Sequence, residues 1–199
     1  MFVIFNSQSI AGMAAVTILL LAVVSASALN SCTSTRYRNC HELRQSVGGT
    51  DGVYVIYPYD SCPDRPVRVW CDMTTDGGNW TVIQRRGDFQ PQEDFYRTWI
   101  EYALGFGDPK KDHWIGLDHI HALTDQQLNQ IRFQLVDFEG NSTWAQYEVF
   151  YVHDRSASYK LEVNSYSGTA GDSFSGNGYR FSAKDKDLDV YQTDSCAEV

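Results

Sequence analysis

The chain has 199 residues, with 16 Lys and Arg against 25 Asp and Glu for a formal net charge of −9, a balance that argues against a nucleic-acid or anionic-membrane partner. Apolar residues make up 43% and aromatic residues 14%, and no repeat or low-complexity tract occurs. A disordered chain is therefore excluded, and the length suits one domain with a proper core.

No charged residue precedes Arg36, and Ile10 to Leu29 is an almost unbroken apolar run. Ala26-Ser27-Ala28 supplies the small side chains a signal peptidase needs, so residues 1–28 are expected to be a signal peptide cleaved after Ala28. The run, at about 20 residues, is also long enough to span a bilayer, so membrane attachment is expected only if the signal stays uncleaved. Residues 29–39 read as a short leader. His41 to Ser46 suits one or two helical turns ended by Gly48-Gly49. Val53 to Tyr57 is β-rich, Pro58, Pro63 and Pro66 interrupt, and Val67 to Cys71 resumes as a strand. Gly77-Gly78 predicts a tight turn before a strand over Trp80 to Arg86. Phe95, Trp99, Tyr102 and Ala103 recur at helical spacing, which predicts a helix from Phe95 to Leu104 stopped by Gly105 and Gly107.

Asp118 is read as the N-cap of a short helix through Leu123, and Thr124 or Asp125 as the cap of another through Gln130. Ile131 to Phe138 alternates as a half-buried strand does, with a turn at Glu139-Gly140-Asn141. Two further strands are expected over Trp144 to Val152 and Tyr159 to Tyr166, followed by a Gly/Ser-rich loop from Ser167 to Tyr179. The fold class is α+β, short helices over a mostly antiparallel sheet. The basic pairs Arg85-Arg86 and Lys110-Lys111 read as solvated loop charge.

Cysteines stand at 32, 40, 62, 71 and 196. Behind a secretion signal they are expected to form disulfides, and the first four allow three connectivities. Their spacing contains no C-x-x-C pair, which disfavours zinc.

The segment Val69-Trp70-Cys71-Asp72-Met73-Thr74-Thr75-Asp76-Gly77-Gly78-Asn79-Trp80-Thr81-Val82-Ile83-Gln84-Arg85-Arg86 closely resembles the signature of the fibrinogen C-terminal domain family. The likeness continues through Asp94 to Trp99, Trp114-Ile115-Gly116-Leu117-Asp118, Asp137-Phe138-Glu139-Gly140-Asn141 and Tyr166 to Ser173. It covers residues 40–199. The resemblance, nearest to the ficolin and tachylectin branch, implies crossed bridges Cys32–Cys62 and Cys40–Cys71. It implies a calcium loop at Asp185, Asp187 and Asp189, with Asp187 and Asp189 giving side-chain oxygens and carbonyls near Tyr191 and Thr193 completing the shell. Hard oxygens at flexible spacing suit calcium. An EF-hand is ruled out, because loop positions 6 and 12 would be Val190 and Cys196. The family's pocket for acetyl groups of sugars lies just beyond that loop. Of it this sequence carries Cys196 and Ala197, so the remaining fifth to quarter of the domain is expected to be missing and Cys196 to lack its partner.

The resemblance thus implies a secreted, calcium-assisted lectin-like protein for acetylated glycans in innate defence. The alternatives are an extracellular protein-binding or matrix ligand that needs no sugar, and a non-functional fragment. Oligomerisation through the domain's own surface is compatible with the reading, although no coiled-coil or collagen repeat precedes the domain. No enzyme is expected. His113, His119 and His121 lack the glutamate of a catalytic zinc motif, and Gly171-Asp172-Ser173 is no nucleophile elbow. Asn79-Trp80-Thr81 and Asn141-Ser142-Thr143 are N-glycosylation sequons, of which Asn141, in a turn, is the better acceptor.

Overall fold

The computed structural model describes residues 2–7, 36–59, 65–174, 176–189 and 197, the first of these stretches by its backbone alone. Among them are nine strands: β1 (Phe2–Ser7), β2 (Gly52–Ile56), β3 (Val67–Asp72), β4 (Trp80–Arg85), β5 (Phe106–Gly107), β6 (His113–Trp114), β7 (Asn129–Val136), β8 (Ser142–Val152) and β9 (Leu161–Gly168). Three α-helices accompany them, α1 (Cys40–Val47), α2 (Trp99–Leu104) and α3 (Leu117–Thr124). All strands belong to one antiparallel sheet, ordered β2-β3-β4-β1-β7-β8-β9, with β6 also on β4 and β5 on β6. No helix among the described residues is long and apolar enough to cross a membrane.

Helix α1 starts where Asn39 accepts the Glu42 amide at 2.9 Å, and it ends at Gly48. It buries Cys40 and Leu43 against the β3–β4 hairpin, and the Cys40 amide donates to the Thr81 hydroxyl. Cys40 and Cys71 are disulfide-bonded and fully buried. The partner bridge Cys32–Cys62 lies outside the described residues. The hairpin turn contains a short 3-10 segment, Thr75–Gly77, onto which Arg44 reaches, donating to the carbonyls of Met73 and Gly77. Gly78, at φ +78°, is required there: a Cβ would lie 2.1 Å from the Met73 oxygen. Arg85, the last residue of β4, and Arg86 after it are half-buried rather than free in solvent. Arg85 lies over the rings of Trp70 and Phe89, and Arg86 sits 4.0 Å from the centre of the Phe95 ring.

Three expectations need correction. The helix read from Phe95 begins only at Trp99, because Thr98 and Glu101 form a reciprocal capping box there. Two hydrogen bonds from Thr98 and the Arg97 guanidinium hold Glu101 down to about 2. Helix α3 begins one residue before Asp118, after Gly116, and Asp118 makes no cap. No second helix follows it. The Thr124 hydroxyl donates back to the His121 carbonyl and accepts the Val152 amide, each at 3.2 Å, and the Asn129 side-chain amide donates to the carbonyls of Thr124 and Gln127, so the chain turns straight into β7. The last strand, β9, also runs two residues past Tyr166.

The core is formed by Ile56, Val69, Met73, Ile83, Leu117, Ile120, Leu123, Ile131, Phe150 and Val163 with their neighbours. Burial holds His113 and His119 below the usual imidazole range. Their folded pKa lies under the unfolded one of about 6.5, so the stability they permit is full above that pH and is lost as pH falls below it. The urea midpoint is therefore expected to drop between about pH 7.5 and pH 5.5, and the drop to shrink in His119→Phe. An identical drop in the variant would exclude His119 as a contributor.

Candidate functional site

The acidic segment near the chain's end forms a tight turn closed by reciprocal backbone bonds between Ala183 and Lys186. Its three side chains at 184–186 all engage the entry to α2. Asp185 accepts the Trp99 amide at 2.7 Å, which satisfies a backbone donor left open by the helix start. Lys186 places its ammonium 3.8 Å from the Trp99 ring centre. Lys184 donates to the carbonyl of Tyr96 and lies 4.4 Å from that ring. The turn is thus seated on a small aromatic platform, which fixes where the following residues begin.

Beyond the turn, Leu188 donates its amide to the Ser182 hydroxyl, and the Asp189 amide donates to the Asp187 carboxylate at 3.1 Å. Asp187 thus folds its carboxylate onto the backbone two residues on, while Asp185 is directed to the helix. A calcium shell here would draw on Asp187 and Asp189, with Asp185 as the anchor of the loop and the other donors coming from carbonyls. Tyr191 and Thr193, expected to supply those carbonyls, lie outside the described residues, as does Cys196. Among the described residues no group of three or more His, Cys, Asp or Glu is placed to hold a metal. Ala197 lines a cleft of about 250 Å³ with Phe95, Tyr96, Tyr102 and Lys184, on the same side of α2 as the acidic turn.

Sequence reading missed what supports the platform from behind. The Trp99 ring lies 5.1 Å from that of Tyr159, whose hydroxyl donates to Asp118 at 2.6 Å. Arg155 donates to the other Asp118 oxygen at 2.5 Å. Tyr159 is almost fully buried, and burial together with Asp118 pushes its hydroxyl pKa up. Both Ser158 and Tyr159 are left-handed, at φ 55° and 51°, a conformation uncommon for residues with a Cβ. No pattern in the sequence marks that turn. The signal present is Asp118 itself, an acidic residue beside an apolar helix start, which can cap locally or pair with a remote donor.

The three histidines do not converge. His113 reaches the carbonyl of Val82, His119 pairs with the Tyr59 hydroxyl at 2.7 Å, and His121 with the carbonyl of Val152. Asn141 stands exposed on the β7–β8 turn, bonded to Asp137 by its amide groups. Asn79 is half-buried at φ +75°, and its sequon threonine, Thr81, is fully enclosed. Enzymatic deglycosylation of the protein expressed through a eukaryotic secretory pathway is expected to lower its mass, with Asn141→Gln abolishing the change and Asn79→Gln leaving it intact; the opposite pattern would reverse the assignment.

The profile described as fibrinogen beta and gamma chains, C-terminal globular domain, matches residues 36–199. Techylectin-5A of Tachypleus tridentatus is 43% identical over 163 residues, covering 81% of this chain and 56% of its own length. Ryncolin-4 of Cerberus rynchops is 42% identical, covering 81% and 46%, and angiopoietin-4 of Mus musculus is 41% identical, covering 77% and 30%. The chain thus spans little more than half, or less, of these relatives. The fibrinogen-like globe domain of human ANGPTL2 superimposes with a TM-score of 0.76 at 37% identity, over 81% of this chain and 73% of that one.

Proposed function

The chain belongs to the fibrinogen C-terminal domain family, and on that premise we propose that it is a secreted, non-enzymatic recognition protein for acetylated glycans, assisted by calcium. The observation that carries this reading is the acidic turn seated on α2, with Asp185 spent as an anchor and Asp187 turned onto the Asp189 amide. A relative named as a lectin, at 43% identity, supports sugar as the ligand class.

Asp187 and Asp189, with the carbonyls of Tyr191 and Thr193, would hold the ion. Bound there, calcium supplies a structural clamp of fixed charge, without contact to the sugar. The protein's own residues do the positioning: Trp99, Lys184 and Lys186 fix the turn before ligand arrives, so less ordering is left to be done on binding. Extracellular modules fill such weak calcium sites at millimolar concentrations, on the order of 10⁻⁴ to 10⁻³ M for half-saturation.

Passage over an N-acetylglucosamine resin tests the proposal. Retention in calcium, with release by free sugar or by EDTA, is the expected result. Flow-through in calcium would remove the sugar reading and favour a protein ligand, as the angiopoietin-like relatives suggest.

A further inference from the structure

The most exposed large apolar side chain among the described residues is Phe138, at 99%. It stands at the tip of the β7–β8 hairpin, in a turn, where Gly, Pro, Asn, Asp and Ser are the residues that the backbone favours. The turn is closed by its own polar groups. Val136 and Ser142 form the last pair of the ladder. The Asp137 amide donates to the Asn141 carbonyl at 3.0 Å, and the Gly140 amide to the Asp137 carbonyl at 3.2 Å. Gly140 takes φ +88°, the left-handed position that a tight turn followed by a bulge requires. None of these bonds uses Phe138, and its ring stands open to solvent on both faces.

Three residues on is Asn141, the exposed first residue of the sequon Asn141-Ser142-Thr143. Its side chain is already held, because its backbone amide donates to one Asp137 carboxylate oxygen at 2.7 Å and its Nδ2 to the other at 2.8 Å. Three residues span at most about 11 Å even when fully extended, and the closed turn folds Phe138 and Asn141 closer than that. We propose that Phe138 is the stacking platform for the first N-acetylglucosamine of a glycan on Asn141, and that this contact fastens the β7–β8 turn. The proposal rests on the secreted reading, since the sugar is added in the secretory pathway.

The chemistry of the transfer leaves the Asp137 contact its donor. Nδ2 of Asn141 attacks the anomeric carbon of an oligosaccharide carried on a lipid pyrophosphate. The N–C1 bond forms, the bond from C1 to the pyrophosphate oxygen breaks, and one of the two Nδ2 protons is lost. The second proton remains for Asp137, which orients the root of the sugar. A pyranose shows axial C–H groups on one face, apolar and slightly electropositive, and the face of a phenyl ring is apolar and electron-rich. Stacking the two withdraws apolar area from water on both sides. The covalent tether makes the encounter intramolecular, so a contact too weak to capture free sugar is still populated. The sugar in this contact is the protein's own, and the acidic turn at residues 184–186 takes no part in it.

Four proteins expressed through a eukaryotic secretory pathway test the proposal: the unaltered chain, Phe138→Ala, Thr143→Ala, which keeps Asn141 but destroys its sequon, and the double variant. Intact mass comes first. A glycan mass that disappears in Thr143→Ala places the sugar on Asn141, whereas identical masses would refute glycosylation there and the proposal with it. With the sugar present, urea unfolding reads the stack. Loss of the sequon is expected to raise the unfolding constant about two- to tenfold more in the presence of Phe138 than in Phe138→Ala, the scale of an aromatic contact. Equal changes in both backgrounds would refute the stack while leaving the glycan in place. Protons of the first sugar should also be shifted upfield by the ring current in the unaltered protein and return to solvent-exposed positions in Phe138→Leu, which keeps an apolar side chain. Identical sugar shifts in those two proteins would overturn the proposal.

Discussion

Replacing Cys40 and Cys71 together by alanine is expected to cost about 3–4 kcal/mol of stability, the entropy of closing a loop of this length in the unfolded chain. The two cysteines are separated by 31 residues, and both are fully buried. For a domain of this size the loss corresponds to a fall of roughly 6–16 °C in melting temperature. The structural consequence should be local to α1 and the β3–β4 hairpin. Besides the bridge, α1 is fastened by the Cys40 amide on Thr81 and by Arg44 on the hairpin turn. The variant should therefore fold, with a lower urea midpoint and a somewhat larger m-value, because the unfolded chain freed of its cross-link is more expanded. A loss below about 1 kcal/mol would mean that these polar contacts alone hold the helix in place.

The second large effect concerns calcium. Asp187→Ala removes one of the carboxylates proposed to hold the ion and is expected to weaken calcium by at least the 10- to 100-fold seen when groups outside a ligand shell are lost. Asp185→Asn keeps the shape of the anchor but removes its charge at the entry to α2. It should weaken calcium less, and it should also lower helix stability, by about 0.5–2 kcal/mol if the cap itself is lost. Calcium titration followed by protection of the 185–189 segment from protease reads both. Equal protection with calcium and with EDTA, in the unaltered protein, would show that the ion does not order this segment. Equal calcium affinity in Asp187→Ala and the unaltered protein would remove Asp187 from the shell.

The parts of the fold that the sequence made legible are those set by local chemistry. The alternation after Ile131, the glycine pair at the β3–β4 turn and the four-residue spacing of Trp99 and Ala103 each point to the element that forms. Misreadings arose where a residue's partner is remote. Asp118 looks like a helix cap, yet its carboxylate is taken by Arg155 and Tyr159, 37 and 41 residues away. Thr124 looks like the start of a helix, yet it ends α3, and its hydroxyl accepts the Val152 amide across 28 residues. Arg85 and Arg86 look solvated, yet aromatic rings cover both.

At the candidate site the family resemblance pointed to the acidic turn, and the pairing of Cys40 with Cys71 that it implied is present. It did not separate the role of Asp185 from those of Asp187 and Asp189. All three are carboxylates at alternate positions, and only the approach of the Trp99 amide makes the first an anchor. Nor did the sequence suggest a strand at Phe2–Ser7. Its β-branched and aromatic residues merge into the apolar run that follows, and a six-residue stretch carries no signal that it will pair with partners 76 to 83 and 122 to 132 positions away.

The two readings of the ligand face diverge most sharply in a calorimetric titration of the secreted protein with N-acetylglucosamine, run once in millimolar calcium and once in EDTA. Saturable heat in calcium that vanishes in EDTA and returns when calcium is restored is the result expected of a sugar-binding face clamped by Asp187 and Asp189. Heat of equal size in both buffers would contradict the role of calcium, and no heat in either would contradict recognition of acetylated sugar.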